Sequence, residues 1–571
     1  MDMGKNFLNS LLKINGPRSR SYEDIDPDEI FLDSSNLPQF DVYQFEGRIV
    51  RSLSKTTIMF LGMFFVLVTI IFLCRIGLLQ IVKGQEYVEI SENNRLAHTF
   101  LFPERGVIFD CNDEVLAWNI PGISEDFTTR AYIATSGLSH VLGYVKYPQA
   151  DSSGVYYKTE YSGVAGIEKQ YNVELNGVNG VKLVERNALL EVESENIINP
   201  PEDGEDLTLT IDTRVQTQMY KFIKDLSYEK GFKGGTGIIM NIHSGEILAL
   251  TNYPEYNSSV ISAGEDAETI AGYSLNEGKP YLNRAISGRY TPGSIVKPFV
   301  ALGALNEGVI SPDKKILSTG KLVIPNPWNP EFNTIFTDWR AHGYVDIRDA
   351  LAVSSNIYFY EVGGGFEPDD QEGIGIANIE RYARMFGIGE ITGVDIPGEV
   401  DGVIPNPAWK EINFDGEEWR IGDTYNTAIG QYGFQVTPIQ MVRAIAAIAS
   451  NGALVVPHVV KQDIPTEEIT VISDVHYTTV KEGLRQAVTD GTAKGLYLPY
   501  IKVAAKTGTA EVGISKSRVN SWAIGYFPYD DPQYAFTVMM EEGPRENTIG
   551  GLYIMRQVFD WMNIYTPEYF D

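Results

Sequence analysis

The run TTIMFLGMFFVLVTIIFLC, residues 56–74, carries no charge over 19 positions, and GLLQIV continues it after Arg75. A helix needs about 20 apolar residues to cross a ~30 Å hydrocarbon core. The run therefore reads as a single membrane span over 56–82, not as the core helix of a globular protein. A cleaved leader would place a shorter apolar stretch near the N-terminus, ahead of a small-x-small exit. Here 55 residues precede the run and no such exit follows. Leu73 and Arg75 flank Cys74, so the small neighbours of a lipidated cysteine are missing. Arg48, Arg51 and Lys55 before the span are balanced by Arg75, Lys83 and Arg95 after it. The positive-inside count is nearly tied, and Lys5, Lys13, Arg18 and Arg20 tip it toward a cytoplasmic N-terminus.

What lies beyond the span is long enough to bury a large core. The formal charge is −29, with the acids spread along the chain. Such a surface repels phosphate backbones, which excludes nucleic acid as a partner. Cys74 and Cys111 are the only cysteines, so there is no disulfide framework. No cysteine or histidine pair stands at zinc-ligand spacing.

Residues 1–55, with PRSRSYEDIDPDE, read as an irregular polar tail. Residues 83–205 mix short alternating runs (VIFD, SHVLGYV, GVKLVE) with glycine-rich turns, which predicts a strand-rich, elongated region. INPPEDGED at 198–206 has the composition of a linker. DLTLTID then alternates like a strand, and RVQTQMYKFIKDL has helical spacing. From there 206–571 alternates strands and helices as one α/β domain.

Three short elements in that domain could carry chemistry. In YTPGSIVKPF (290–299) Pro292-Gly293 is a turn signal, and an apolar helical pattern follows Ser294. Ser294 would sit at a helix N-terminus, where free N–H groups favour a developing oxyanion. Lys297, three residues on, would share its face. A lysine enclosed by apolar neighbours can lose its proton and serve as a base. Ser-x-x-Lys also occurs at Ser52, Ser311 and Ser318, so the spacing alone leaves an ordinary capping serine open. In DALAVSSNIYFYEV (349–362) Ser354 and Asn356 stand two apart at the start of another apolar run. In AAKTGTAEV (504–512) Lys506-Thr507-Gly508-Thr509 reads as an edge strand. Its small glycine would let a ligand approach the backbone, and its lysine and hydroxyls suit a carboxylate.

Taken together, Ser-x-x-Lys, Ser-x-Asn and Lys-Thr-Gly, spaced 60 and then 152 residues apart, form the set used by penicillin-recognising serine enzymes. From about residue 48 onward the chain resembles the class B penicillin-binding proteins. Flanking strings support this: RGVIFDCNDEVLA (105–117), GVAGIEKQYNVELNG (163–177), SGEILALTNYPEYN (244–257), GVDIPGEVDGVIP (393–405), IGQYGFQVTPIQM (429–441) and WAIGYFP (522–528). ENNR at 92–95 leans toward the elongation (penicillin-binding protein 2) branch over the division branch. Two departures stand out. The first string usually reads Asp-Arg-Asn-Gly, where Cys111 and Asp113 now replace the arginine and glycine. Tyr432 stands where a glycine usually follows Gln431.

The resemblance implies a cytoplasmic tail (1–55), an anchor in the bacterial inner membrane (56–82), a pedestal of the dimerisation type (83–205) and an external transpeptidase domain (206–571). That last domain would be built on a central antiparallel sheet with helices. It implies a D,D-transpeptidase acting on peptidoglycan stem peptides ending in D-Ala-D-Ala, blocked by β-lactams, with room for a D,D-carboxypeptidase side activity. A polytopic membrane glycosyltransferase is the implied partner. Ser294 would be the nucleophile, Lys297 its base, Ser354 a proton relay touching Lys506, and Asn356 an orienting amide. Lys506, Thr507, Gly508 and Thr509 would receive the carboxylate. No cofactor is implied. Some elongation-type relatives carry an Asp/His/Cys cluster near the second motif. Asp338 and His342 are present here without a nearby cysteine, so no zinc is expected. A β-lactamase would need a Glu-x-x-Leu-Asn element between the second and third motifs, and none is there. A penicillin-sensing receptor would need more spans or an effector domain. A scaffold without catalysis would show damage in a catalytic motif.

Overall fold

The computed structural model describes residues 54–88, 96–122, 126–152, 155–186, 192–325, 332–513 and 515–570. Nearly all of the expected tail and the ENNR string lie outside these. Residues 1–93 and 94–571 form separate units.

In the first unit, helix α1 (Lys55–Gly77) is capped by Ser54, whose side chain accepts from Thr57 N, and passes into a π-helical turn, Leu78–Val82. Lys55–Val82 spans 28 residues with mean hydropathy 2.7 in its apolar window, and none of that window is buried in protein. At 1.5 Å per residue the segment is roughly 42 Å long, more than a hydrocarbon core requires. A helix apolar on every side, with no protein covering it, is suited to lipid.

In the second unit the pedestal residues form a three-stranded sheet (Leu96–Leu101, Gly180–Arg186, Val192–Asn199) and a four-stranded one. SHVLGYV departs from the expected alternation: Ser139–Leu142 is a helical turn, and only Tyr144–Lys146 is a strand. Leu138, Val141 and Leu142 are all buried, at the i, i+3, i+4 spacing of a helix. The centre of the pedestal is a buried ion cluster. Glu168 accepts from Arg105 Nε at 2.6 Å and Arg130 Nε at 2.8 Å, and Arg105 Nη1 also donates to Asn176 Oδ1. All three charged side chains are fully buried.

The segment expected as a linker is stitched down on both sides. Gly204 N donates to Glu104 O and Glu205 N to Glu174 O. Leu207–Thr208 pairs in parallel with Ile108–Phe109, and Leu209 bridges to Val460.

The larger part of the unit is a three-layer sandwich. Helix α2 (Thr213–Lys230) leads into strands β1 (Gly234–Asn241) and β2 (Ile247–Tyr253). The central helices follow: α3 (Lys297–Asn306), α4 (Ile347–Val353), α5 (Asn356–Gly364), α6 (Ile421–Ala428), α7 (Pro438–Ala449) and α8 (Asp474–Thr489). Strands β3 (Ala504–Val512), β4 (Arg518–Phe527) and β5 (Tyr534–Pro544) and helix α9 (Gly551–Tyr565) complete it. The sheet order is β2-β1-β5-β4-β3, every pair antiparallel. Ile238 and Met240 point into the core shared with the central helices, while Ile239 between them joins the core under α2 and α9. Both faces are covered, so these strands read as continuous apolar runs and not as alternating ones. β3 is left at the edge.

Removing the Glu168 carboxylate would strand two buried guanidinium groups, at a cost of about 3–5 kcal/mol. Glu168→Ala should therefore lower the denaturation midpoint of the pedestal markedly in urea titrations. A midpoint like that of the unaltered protein would show that the cluster contributes nothing net.

Candidate active site

Ser294 lies in a 3₁₀ turn, Gly293–Val296, that runs directly into α3 with Lys297 as its first residue. Pro298 is tolerated there because the first-turn N–H groups need no intrahelical acceptor. Lys297 is fully buried, whereas Ser294 is half-buried. The turn is held from below: Gly293 has φ +58 and donates its N–H to Gly430 O at 2.9 Å. Gly430 has φ +73, and a Cβ there would collide with the Gly293 carbonyl.

The second element forms the opposite wall. Ser354 ends α4 in the left-handed region, φ 58, and Ser355 then caps α5. A non-glycine residue held at positive φ stores strain that its surroundings must over-determine. Here they do so by presenting acceptors to a lysine. Lys297 Nζ donates to Ser354 O at 2.9 Å and Asn356 Oδ1 at 2.8 Å, with Ser354 Oγ at 3.4 Å. Its ammonium also lies 5.4 Å from the Phe359 ring centroid. Burial brings the Lys297 pKa down to about 7 against a smaller upward pull from Asp338.

The third element is strand β3. Lys506 is fully buried and donates to Thr507 O at 3.0 Å. Burial first, then the Lys297 charge, pushes its pKa well below the ordinary lysine range. Gly508 is small for a reason the sequence did not show: a Cβ would come within 2.9 Å of Ile295 Cγ2 and Pro292 O, so the glycine admits the turn that carries Ser294. The four residues do not share a face. Thr507 and Thr509 instead line a cavity of about 310 Å³ with Thr492, Ser521, Trp522 and Arg556, and Thr507 Oγ1 bonds Thr492 Oγ1. Thr509 O lies near the Cβ position of Gly293. Since a strand residue's N–H and C=O point the same way, the Thr509 N–H also faces the nucleophile turn.

Among the described residues Lys297 thus gathers Ser354 and Asn356 around one ammonium, next to Ser294 on the chain. No hydrogen bond joins Ser354 to Lys506; the serine hydroxyl faces Lys297 instead. Asp338, weighed in the sequence only as a metal ligand, has a fully buried side chain and bonds the backbone of the second motif. Asn356 N donates to its Oδ2 at 2.7 Å and Ile357 N at 3.1 Å. Asp338 stands 16 residues ahead of Ser354, and only the turn after the Thr334–Thr337 strand brings it there.

The two departures from the family pattern land on left-handed backbone. Asp113 has φ 63 and Tyr432 φ 61. Aspartate adopts this region more readily than most residues. Tyr432 is compensated by packing: its ring stacks on Phe414 at 5.7 Å and meets Trp409 and Trp419 edge-on. Each such aromatic pair is worth about 0.5–1.5 kcal/mol.

A sheet edge that gathers a helix-borne serine, a desolvated lysine and a Ser-x-Asn turn defines a penicillin-recognising serine enzyme. Comparison with protein families agrees. The family described as Penicillin binding protein transpeptidase domain matches residues 235–559, and Penicillin-binding Protein dimerisation domain matches 121–209. The chain belongs to the penicillin-binding protein transpeptidase family.

Its similarities favour the elongation branch. Peptidoglycan D,D-transpeptidase MrdA of Acinetobacter baumannii is 30% identical over 476 residues, 78% of this chain and 67% of that protein. MrdA of Escherichia coli is 28% identical over 483 residues, 78% and 72%. Among solved structures, a complex between Penicillin-Binding Protein (PBP2) and MreC from Helicobacter pylori matches with TM-score 0.68 and 26% identity. That match covers 83% of this chain and 99% of the other. Pseudomonas aeruginosa PBP2 in complex with WCK 5153 matches with TM-score 0.68 and 27% identity, covering 82% and 97%.

Two glycine substitutions separate close contact from backbone conformation. Gly375 has φ +75 and no neighbour within 4 Å of a Cβ, so Gly375→Ala should cost only about 1–2 kcal/mol of backbone strain. Gly430→Ala adds the collision with Gly293, and should lower the thermal midpoint by clearly more. Equal midpoint shifts would refute the assigned contact.

Proposed function

We propose that this chain is a membrane-anchored D,D-transpeptidase that cross-links peptidoglycan stem peptides through an acyl-enzyme on Ser294. The observation that carries the reading is Lys297: buried, free of any direct ion pair among the described residues, and hydrogen-bonded to the Ser-x-Asn turn. A lysine with a pKa of about 7 is neutral in part of the population at neutral pH, as a general base must be.

In this reading the donor peptide ends in D-Ala-D-Ala. Its terminal carboxylate is held by the Thr507 and Thr509 hydroxyls on their face of β3, with Lys506 acting through its charge from the strand's other face. An arriving carboxylate also supplies the counter-charge that buried Lys506 lacks. Ser294 Oγ attacks the penultimate carbonyl carbon and Lys297 Nζ takes its proton. The oxyanion forms between the N–H groups of Ser294 and Thr509. Ser354 Oγ relays a proton from Lys297 to the departing D-Ala nitrogen as the amide C–N bond breaks, leaving an ester on Ser294. Asn356 fixes the lysine and the substrate amide. The amine of a neighbouring stem peptide then attacks the ester, forms the cross-link amide and returns the proton to Ser294. A β-lactam enters the same path, and its acyl group stays on Ser294.

The division at 205/206 between pedestal and transpeptidase domain, the N-terminus in the cytoplasm and the catalytic domain outside the inner membrane belong to the same proposal. So does a partnership with a polytopic glycosyltransferase. Supporting it, one solved structure similar to this chain is described as structural coordination of polymerization and crosslinking by a peptidoglycan synthase complex.

Fluorescent penicillin should label the purified protein covalently and leave Ser294→Ala unlabelled. Labelling of the alanine variant, or none of the wild type, would overturn the acyl-enzyme assignment.

A further inference from the structure

Asp338 has a fully buried side chain, and one of its oxygens serves four donors. Oδ2 accepts from Asn356 N at 2.7 Å, Ser355 Oγ at 2.8 Å, Ile357 N at 3.1 Å and Ser318 Oγ at 3.4 Å. Oδ1 accepts from Trp339 N at 2.8 Å. The surrounding turn is tied down as well. Asp338 N donates to Gly320 O and His342 N to Ser318 O, while the Trp339 indole donates to Val353 O. The carboxylate therefore bridges the Ser318–Gly320 corner and the start of α5, which also meet directly where Ser355 Oγ bonds Ser318 Oγ at 3.1 Å.

As metal ligands these residues do not suffice. His342 Nε2 lies 3.8 Å from Asp338 Oδ1. Among the described residues no set of three or more His, Cys, Asp or Glu is arranged to hold an ion. The lone pairs of Oδ2 are committed to protein donors.

We propose that Asp338 is a positioning residue for acylation. Its carboxylate anchors the first N–H groups of α5, holding Ser354 and Asn356 where they receive the Lys297 ammonium. The physical reason is local. Ser354 sits in a strained left-handed conformation, φ 58, between the end of one helix and the start of the next. The free N–H groups of α5 need an anionic cap to fix that junction. A capping serine alone, here Ser355 accepting from Tyr358 N at 3.4 Å, satisfies only one of them. Asp338 satisfies the two before it and orients Ser355 through its hydroxyl. Displacement of the turn by even ~1 Å would withdraw the acceptors from Lys297, an error that can cost about 10²-fold in rate.

The charge has a second effect on the base. Lys297 is faced by Lys506 from β3, by His342 from the turn, and by Asp338. Among these Asp338 alone is anionic, and it favours the protonated lysine. Its removal should therefore move the lysine's titration to lower pH.

This inference rests on the acyl-enzyme reading, and the experiment keeps the two apart. Acylation by a fluorescent penicillin is followed by stopped flow across pH for wild type, Asp338→Asn and Ser318→Ala. The rate of the covalent step is separated from initial binding, and circular dichroism and thermal midpoints monitor the fold. Failure of wild type to acylate would sink the parent reading. With wild type active, Asp338→Asn should lose about 10- to 100-fold in the covalent step. Its initial binding should stay within about twofold, and its acid limb should shift to lower pH. Ser318→Ala removes one donor to Asp338 and the Ser355–Ser318 hydroxyl contact but leaves the carboxylate, so it should fold and lose only about two- to fivefold with no shift of the limb.

If Asp338→Asn acylates like wild type, or loses rate with an unmoved acid limb, the positioning role is wrong. If Asp338→Asn does not fold, Ser318→Ala decides: an unchanged rate overturns the proposal. Stoichiometric zinc in the purified protein, with labelling lost to a chelator, would overturn it as well.

Discussion

Lys297 carries its ε-amino group fully buried and without a carboxylate in direct contact. Its hydrogen-bond partners are a carbonyl, an amide oxygen and a hydroxyl, all neutral. The cost of keeping an ammonium there is what lowers its proton affinity, and it accounts for several other features of the structure. Ser354 must take up a left-handed conformation to present its carbonyl. Asn356 must open a helix with its side chain turned back. A second buried lysine, Lys506, stands close enough for the Lys297 charge to disfavour its own.

The fold supplies this arrangement by closing three elements, distant in sequence, around one sheet edge. The turn leading into α3 carries Ser294, the junction of α4 and α5 carries the amide and hydroxyl, and β3 carries the second lysine. Glycines set how closely they meet. Gly293 and Gly430 touch through their backbones, and Gly508 lets β3 lie against Ile295. None of these contacts tolerates a side chain without movement, so the site's geometry is set by backbone packing more than by rotamers. The sheet behind it is covered on both faces, which makes its edge a rigid reference.

Much of this could be read from the chain. The span was legible because a 19-residue run without charge has few other uses. The three candidate elements became legible only jointly, since each alone is a common helix cap or turn. The antiparallel sheet and its edge strand followed from the family resemblance and from the pattern of AAKTGTAEV. What stayed hidden depends on tertiary closure. Asp338 reaches the second motif through a turn that no periodicity marks. The alternation of β3 puts Thr507 and Thr509 on the other side from Lys506, although the string suggested one clamp. SHVL looked like half of a strand because Gly143 broke a pattern whose three apolar residues were helically spaced. The glycine of Lys-Thr-Gly was legible as a requirement for closeness, while its contact with the turn that carries Ser294 was not.

The account stands or falls on the proton affinity of Lys297. The most direct measurement is the pH dependence of the acylation rate constant of the wild-type protein, taken with a penicillin that has no titrating group between pH 5 and 10. A base whose pKa is about 7 gives a rate that falls tenfold per pH unit below that value and levels off above it. A profile flat from pH 5 to 9, or an acid limb near the ordinary lysine value of about 10.4, would contradict it.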